Sequence, residues 1–273
     1  MNEILYKENK LYINGNGLFS KEEVNVSIQK AKPGSGITFV LGNEKINAHV
    51  KNVSNATRNT VLSTSGGETI CLIEHFLAAC SLFNVDDIEV HTNKNELVMG
   101  DGSAIHWYEA FKKAGLIKNE KIMQSKEIKE TILIKKEKKE IVAIPHNGFK
   151  VSYAMDHPHP AIGKIWASWD VSEVESEIAQ PRILRARTFG TKQENDFFGV
   201  SDRLLTLLDD KFNKELHEPL EPACHKILDI IGDLRLCGIN PLKINMHVIG
   251  FRSGHEMNVE MARELSQELG AEK

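Results

Sequence analysis

The chain has 273 residues, long enough to bury a core as one large domain or two of ordinary size. Hydrophobic residues at 41% and charged residues at 26% place it among globular chains, and no stretch approaches the roughly 18 apolar residues of a membrane span. A net charge of −4 leaves no basic footprint for nucleic acid. The first residues, Met1 to Lys7, hold no apolar core of signal-peptide length. Cys71, Cys80, Cys224 and Cys237 sit inside apolar helical patterns without CxxC spacing, so reduced core thiols are expected rather than disulfides or a cysteine zinc knot. These features read as a cytoplasmic protein, in which the sequon Asn55-Ala56-Thr57 is incidental.

Residues 1–60 alternate and turn as strands do. Leu11-Tyr12-Ile13 leads into the glycine-punctuated turn Gly15-Asn16-Gly17-Leu18-Phe19-Ser20, Val24 to Ile28 alternates, and Pro33-Gly34-Ser35-Gly36 turns the chain into Ile37 to Leu41. No strand-to-helix nucleotide fingerprint follows Gly15 and Gly17, so that glycine pair has no phosphate role. From Glu68 to Leu82 the sequence reads as an apolar helix with Thr69 or Ser65 as candidate caps. Glu74-His75 interrupts it. A buried carboxylate beside an imidazole needs a metal or a charge partner, unless the pair stands at a helix end satisfied by backbone. Ile88 to His91 is a strand, Val98 to Ala104 a tight loop, and Trp107 to Ala114 a second helix.

The lysine-rich passage Lys118 to Lys129 makes an inter-domain connection. Beyond it, Thr131 to Ile134 and Glu140 to Ile144 flank Lys135 to Lys139 as a charged hairpin whose turn is solvated. Val151 to Met155 is a strand that ends at Asp156-His157-Pro158-His159-Pro160, where the histidines are either metal or substrate contacts or simply exposed. In Ala223 to Leu234, apolar Ile227, Leu228, Ile230, Ile231 and Leu234 recur at helical spacing. His225, Asp229 and Asp233 fall four apart on one edge. An imidazole and a carboxylate one turn apart can grip one metal ion such as zinc, and the same pattern also describes a solvent-facing polar stripe. Ile244 to Ile249 is a strand, and a last helix runs from Glu256 to Leu269, opened by the loop residue His255. The second half repeats the order of elements of the first. The expectation is an α+β protein of two domains of similar topology, each a layered sheet–helix sandwich with small inserts. The first covers 1–120 and carries Glu74 and His75; the second covers 127–273 and carries His225, Asp229 and His255.

Assembled in order, these pieces resemble the UDP-3-O-acyl-N-acetylglucosamine deacetylase family, the zinc amidases of lipid A synthesis, over nearly the whole chain. The carriers are Ile73-Glu74-His75 with Ala78-Ala79, Met99-x-Asp101-Gly102-Ser103-Ala104 and His159-Pro160-Ala161-Ile162. Ala186 to Gly190, His225 to Leu234 and Ser253-Gly254-His255 complete the set. Each alone is weak, and six in the family's order are specific. The resemblance implies zinc, or iron(II), held by His75, His225 and Asp229, with Glu74 as general base. It implies His255 as the cationic group that protonates the leaving amine, Asp233 as its orienting partner, and Thr188 as a donor to the oxyanion. Lys226, Phe189 and His159 would contact substrate. The partner implied is an acylated UDP-amino-sugar, bound by a monomer without nucleic acid.

The departures from the family cluster on substrate-facing parts. Phe19 stands where the family often carries a histidine, Gly100 is an extra residue in the Met-Asp-Gly-Ser loop, and Thr191 to Phe198 is shorter than the family's acyl-chain segment. Leu216 to Pro222 carries two prolines in place of an acidic and aromatic run. Altered acyl or sugar specificity on the same chemistry, or a non-catalytic sugar-nucleotide-binding protein, are the alternatives these changes raise.

Overall fold

The computed structural model describes residues 3–117, 122–179 and 181–271. The first half opens with five strands: β1 (Glu3–Lys7), β2 (Lys10–Asn16), β3 (Glu23–Lys30), β4 (Ile37–Leu41) and β5 (Glu44–Asn47). Three short strands follow, β6 (Val53–Asn55), β7 (Val61–Ser63) and β8 (Thr69–Ile70), then helix α1 (Glu74–Leu82), β9 (Ile88–Thr92) and helix α2 (Ile105–Lys113). The main sheet has the order β1-β2-β3-β9-β4-β5, antiparallel except where β9 runs parallel to β4, and β6-β7-β8 form a separate small sheet. Alternation in β3 explains its place: Val24, Val26 and Ile28 are buried while Glu23 and Asn25 are exposed, so one face packs and the other is wet.

The second half holds β10 (Lys126–Glu127), β11 (Ile132–Lys136), β12 (Lys139–Pro145), β13 (Phe149–Asp156), β14 (Lys164–Asp170) and helix α3 (Val174–Ala179). After these come β15 (Phe189–Thr191), helix α4 (Lys192–Phe198), β16 (Leu205–Leu207), helix α5 (Glu221–Leu234), β17 (Ile244–Phe251) and helix α6 (His255–Glu268). The second sheet has the order β11-β12-β17-β13-β14, with β13 parallel to β17 and β10 pairing the start of β17. The architecture is α+β. Helices α1 and α5 are buried and lie between elements of both halves, and one contiguous apolar core includes Phe39 and Phe76 from the first half and Trp169, Ile227 and Val248 from the second. No helix among the described residues is long and apolar enough to cross a membrane.

Two expectations are corrected here. The helix expected from Glu68 begins only at Glu74, because Thr69 and Ile70 pair with β7 and Leu72 adopts φ 58°, which a right-handed helix cannot contain. Thr69 and Ser65 therefore cap nothing, and Ile73 stands at the N-cap without a side-chain bond. A continuous apolar run looks the same whether its start is strand or helix. The passage Lys118 to Lys129 is not connection throughout: Lys126–Glu127 form β10, and its residues 118–121 lie outside the described ones.

The glycine-rich turn at residues 15–20 does cradle an anion, and that anion belongs to the chain. The carboxylate of Glu96, fully buried, accepts from the N–H groups of Leu18, Phe19 and Ser20 at 2.8, 2.9 and 2.7 Å. A Cβ on Gly17 would stand 2.2 Å from Glu96 Oε1, so this close approach requires glycine.

Helix α2 buries His106, whose Nε2–H donates to the Val98 carbonyl at 3.1 Å. Burial pulls its pKa from 6.5 down to about 4, against the opposing pull of Asp101. The unfolded chain takes up this proton near pH 6.5 and the folded chain only near pH 4, so His106 contributes stability above that window and loses it as pH falls through it. The difference approaches about 3 kcal/mol. Urea unfolding between pH 7 and 4.5 should therefore show His106→Gln with a pH slope flatter than wild type by up to about 1.4 kcal/mol per pH unit. Parallel slopes would sink this account.

Candidate metal centre

The site forms where α1 meets α5. In α5, His225, Asp229 and Asp233 lie on successive turns and are all buried, which removes the reading of a solvent-facing stripe. Gly232 lets the first turn of α1 come against this helix: a Cβ there would sit 1.9 Å from the Glu74 carbonyl oxygen. Glu74 and His75 thus arrive beside residues about 150 positions away in sequence.

His75 Nε2 stands 3.2 Å from His225 Nε2 and 3.3 Å from Asp229 Oδ1, and His225 Nε2 is 3.6 Å from the same oxygen. These three side chains form the group of ligand-type residues found among the described residues. Asp229 Oδ1 is sealed from solvent and has no hydrogen-bond partner there, a costly arrangement for a carboxylate oxygen. A small divalent cation resolves it, since tetrahedral donors at metal–ligand distances of roughly 2.0–2.1 Å stand roughly 3.3 Å apart. The protonation states fit as well. Burial pushes His225 well below 6.5, so it is neutral, as a ligand must be. Burial would raise Asp229, but the positive charges of Lys226 and His255 beside it outweigh burial and hold this carboxyl well below its usual range.

Around the triad stand further buried titratable groups. Glu74 is buried, and burial raises its pKa against the partial opposition of His255 and His75. His255 opens α6, and its Nδ1–H donates to Asp233 Oδ2 at 2.8 Å. Burial alone would make it neutral, yet the charges of Asp233 and Asp229 carry it up to about 9. Asp233 is itself fixed by donors from Thr60 Oγ1 at 2.6 Å and Asn258 Nδ2 at 2.9 Å. Neither Thr60 nor Asn258 was legible as a site residue in the sequence, because each becomes significant only through its contact with α5.

Thr188 Oγ1 lies 2.9 Å from His225 Nε2 and donates to the Gly102 carbonyl at 3.1 Å. Gly102 has φ +88°, and a Cβ there would meet Leu204 Cδ2 at 2.7 Å, so the Met99–Ala104 loop needs glycine to hold Thr188 in place. Arg187 clamps the same segment to the start of α5 by bidentate bonds to Glu221 at 2.7 and 3.0 Å. An acid beside Pro222 at a helix start is the signal that could have exposed this pair in the sequence.

Glu74, His75, Thr188, Phe189, His225, Lys226, Asp229 and His255 all face one cleft of about 500 Å³. Lys226 Nζ bonds Asp229 Oδ2 at 2.8 Å, and Phe189 packs edge-on against the His225 ring. Leu18, Leu72, Met99 and Leu204 line its apolar side. Phe19 meets Phe198 there, ring to ring at 5.5 Å. The segment expected to be short, Thr191 to Phe198, forms α4, begun by a Thr191–Glu194 capping box and ended by Gly199 at φ 65°. His159 is not brought to the lining. Its Nε2 bonds the Leu208 carbonyl and its Nδ1 accepts from the Ala161 N–H, so it organises its own loop.

A sequence profile described as UDP-3-O-acyl N-acetylglycosamine deacetylase matches residues 7–267. A UDP-3-O-acyl-N-acetylglucosamine deacetylase of Nostoc is 33% identical over 270 residues, 92% of this chain and 94% of the relative. Proteins of the same description from Thermosynechococcus vestitus and Chlamydia felis are each 29% identical, covering 93% and 95% of this chain and 90% and 95% of their own lengths.

Proposed function

The chain belongs to the UDP-3-O-acyl N-acetylglycosamine deacetylase family, and we propose that it uses this cleft to hydrolyse the N-acetyl group of a UDP-3-O-acyl-N-acetylglucosamine, a step of lipid A biosynthesis. The convergence of two imidazoles, a carboxylate, a buried second carboxylate and a cationic imidazole in one cleft carries this reading. His75, His225 and Asp229 hold the metal, zinc or iron(II), which when bound polarises the amide carbonyl and favours deprotonation of water near neutral pH. Glu74 accepts the proton of the attacking water, and its raised pKa brings its basicity nearer the working pH. Thr188 turns its hydroxyl from the Gly102 carbonyl to the oxygen that gains charge as the carbonyl carbon becomes tetrahedral. His255, protonated at neutral pH, stabilises that charge and gives its Nε2 proton to the amine nitrogen as the C–N bond breaks. Asp233 keeps the imidazolium oriented through Nδ1. Acetate leaves, and the proton on Glu74 returns His255 to its starting state. Lys226 and Phe189 position the sugar nucleotide. The units 1–120 and 127–273 act as two domains that supply the two sides of the site.

The test is acetate release from UDP-3-O-acyl-N-acetylglucosamine by the zinc-loaded protein, before and after chelation. Release should disappear in the metal-free protein and return with added zinc or iron(II). Retained activity after complete metal removal would overturn the reading. A second reading, narrowed acyl specificity, is favoured by Phe19 against Phe198 at the apolar end of the cleft. A series of acyl lengths should then show Phe19→Ala accepting longer chains than wild type, and identical profiles would remove it.

A further inference from the structure

Two permanently charged cations line the cleft among its described residues, Lys226 and Arg58. Lys226 bonds Asp229 Oδ2 beside the triad. Arg58 extends from the loop between β6 and β7, and its NH1 lies 3.3 Å from Glu194 Oε1 on α4. The Arg58 and Glu194 side chains are 62% and 41% exposed, so the pair is screened and adds little to stability. It nonetheless bridges two walls of the cleft, the β6–β7 loop and α4, because both partners line it.

Glu194 does not need Arg58. Its other carboxylate oxygen accepts from Thr191 N at 3.1 Å and Thr191 Oγ1 at 2.9 Å as part of the α4 capping box. The loop that carries Arg58 has a fixed base: Thr57 N donates to Asn55 Oδ1 at 2.8 Å, and Thr60 is tied to Asp233. The guanidinium is therefore an exposed tip on an anchored loop, paired with a partner that stays satisfied without it. Its flat array of donors matches the oxygens of a diphosphate better than a single carboxylate oxygen.

On the sugar-nucleotide reading above, we propose that Arg58 is a substrate-binding residue that exchanges Glu194 for a phosphate oxygen of the nucleoside diphosphate, with the Arg58–Glu194 pair bridging the cleft until substrate arrives. Glu194 is then a competitor for Arg58, and the two residues act with opposite sign. This sets Glu194 apart from an ordinary binding group.

The experiment measures UDP and uridine binding to the zinc-loaded protein by calorimetry for wild type, Arg58→Ala, Glu194→Gln and the double variant. Glutamine keeps an acceptor for the capping box, and both side chains are exposed, so the variants should fold. Arg58→Ala should weaken UDP about tenfold, the worth of one charge-assisted contact, and leave uridine unmoved. Glu194→Gln should tighten UDP severalfold in the wild type and lose that effect in the Arg58→Ala background. With acylated substrate, Arg58→Ala should raise KM more than it lowers kcat. UDP affinity indifferent to Arg58→Ala, equal losses for UDP and uridine, a weakening by Glu194→Gln, or no UDP binding by wild type would each overturn the proposal. Wild-type acetate release is read separately, so failure of the deacetylase reading is told apart from failure of the Arg58 exchange.

Discussion

Replacing Glu74 by glutamine should lower kcat for acetate release by a factor on the order of 10² or more while metal content stays near that of wild type. Glutamine keeps the shape of the side chain at the first position of α1, so the contact with α5 and the placement of His75 are preserved. What it removes is, among the described residues lining the cleft, the carboxylate proposed to take a proton from water. Glu194, which also lines the cleft, is tied to Thr191 and Arg58 and does not replace it. Stability should move the other way. Burial raises the Glu74 pKa, so its ionised form is held at neutral pH at a cost that a neutral amide avoids. Thermal unfolding of the metal-free proteins should give Glu74→Gln a Tm equal to or above that of wild type, the usual trade between activity and stability at a site. A kcat within about tenfold of wild type, with the metal still bound, would take the base role away from Glu74.

The residues that take part in this chemistry were readable to very different degrees. Helix α5 was legible because its apolar positions repeat with the helical period, which by itself puts His225, Asp229 and Asp233 on one edge. Whether that edge faced water or another helix was not legible, since periodicity says nothing about what covers a face. The start of α1 is hidden in the sequence because residues 69–73 are as apolar as the helix itself, and only the ladder to β7 and the left-handed Leu72 separate strand from helix. Glu96, Thr60, Asn258 and the Arg187–Glu221 pair act across separations of 25 to 173 residues and carry no local pattern. His159 stands out in the sequence by residue type and motif, and the structure spends both its ring nitrogens on its own loop and on Leu208. Chemistry-bearing residue types in a family's order pointed to His75, His225 and Asp229, which the fold brings together; the residues that hold them in place are a tertiary fact.

Gly232 is the clearest case of such a residue, and Gly232→Ala should be among the most damaging substitutions in the chain although it adds a single methyl group. In an isolated helix alanine would be favoured over glycine by roughly 1 kcal/mol. Here the new Cβ would lie 1.9 Å from the Glu74 carbonyl oxygen, 2.7 Å from its carbon and 3.1 Å from its Cα. All three are backbone atoms of a buried first turn, so no side chain can rotate away, and α1 must withdraw from α5 by roughly 1 Å to reach van der Waals contact. That withdrawal moves Glu74 and His75 together away from His225 and Asp229, because the first pair rides on α1 and the second on α5. Overpacking of this kind costs about 1–3 kcal/mol, more than the helix preference returns, and a displacement of about 1 Å at reacting groups costs on the order of 10² in rate. The expected results are a lower Tm, a weaker zinc affinity by competition with a chelator, and a kcat reduced about as far as in Glu74→Gln, the last two arising together. Gly238→Ala makes the control: it is a glycine at φ +91° with Ala271 and His49 as its neighbours, remote from the ligands, so it should lower Tm without changing zinc affinity. If Gly232→Ala binds zinc and turns over as wild type does, the close crossing of α1 and α5 does not set the site, and the triad must be held in register by the flanking sheets instead.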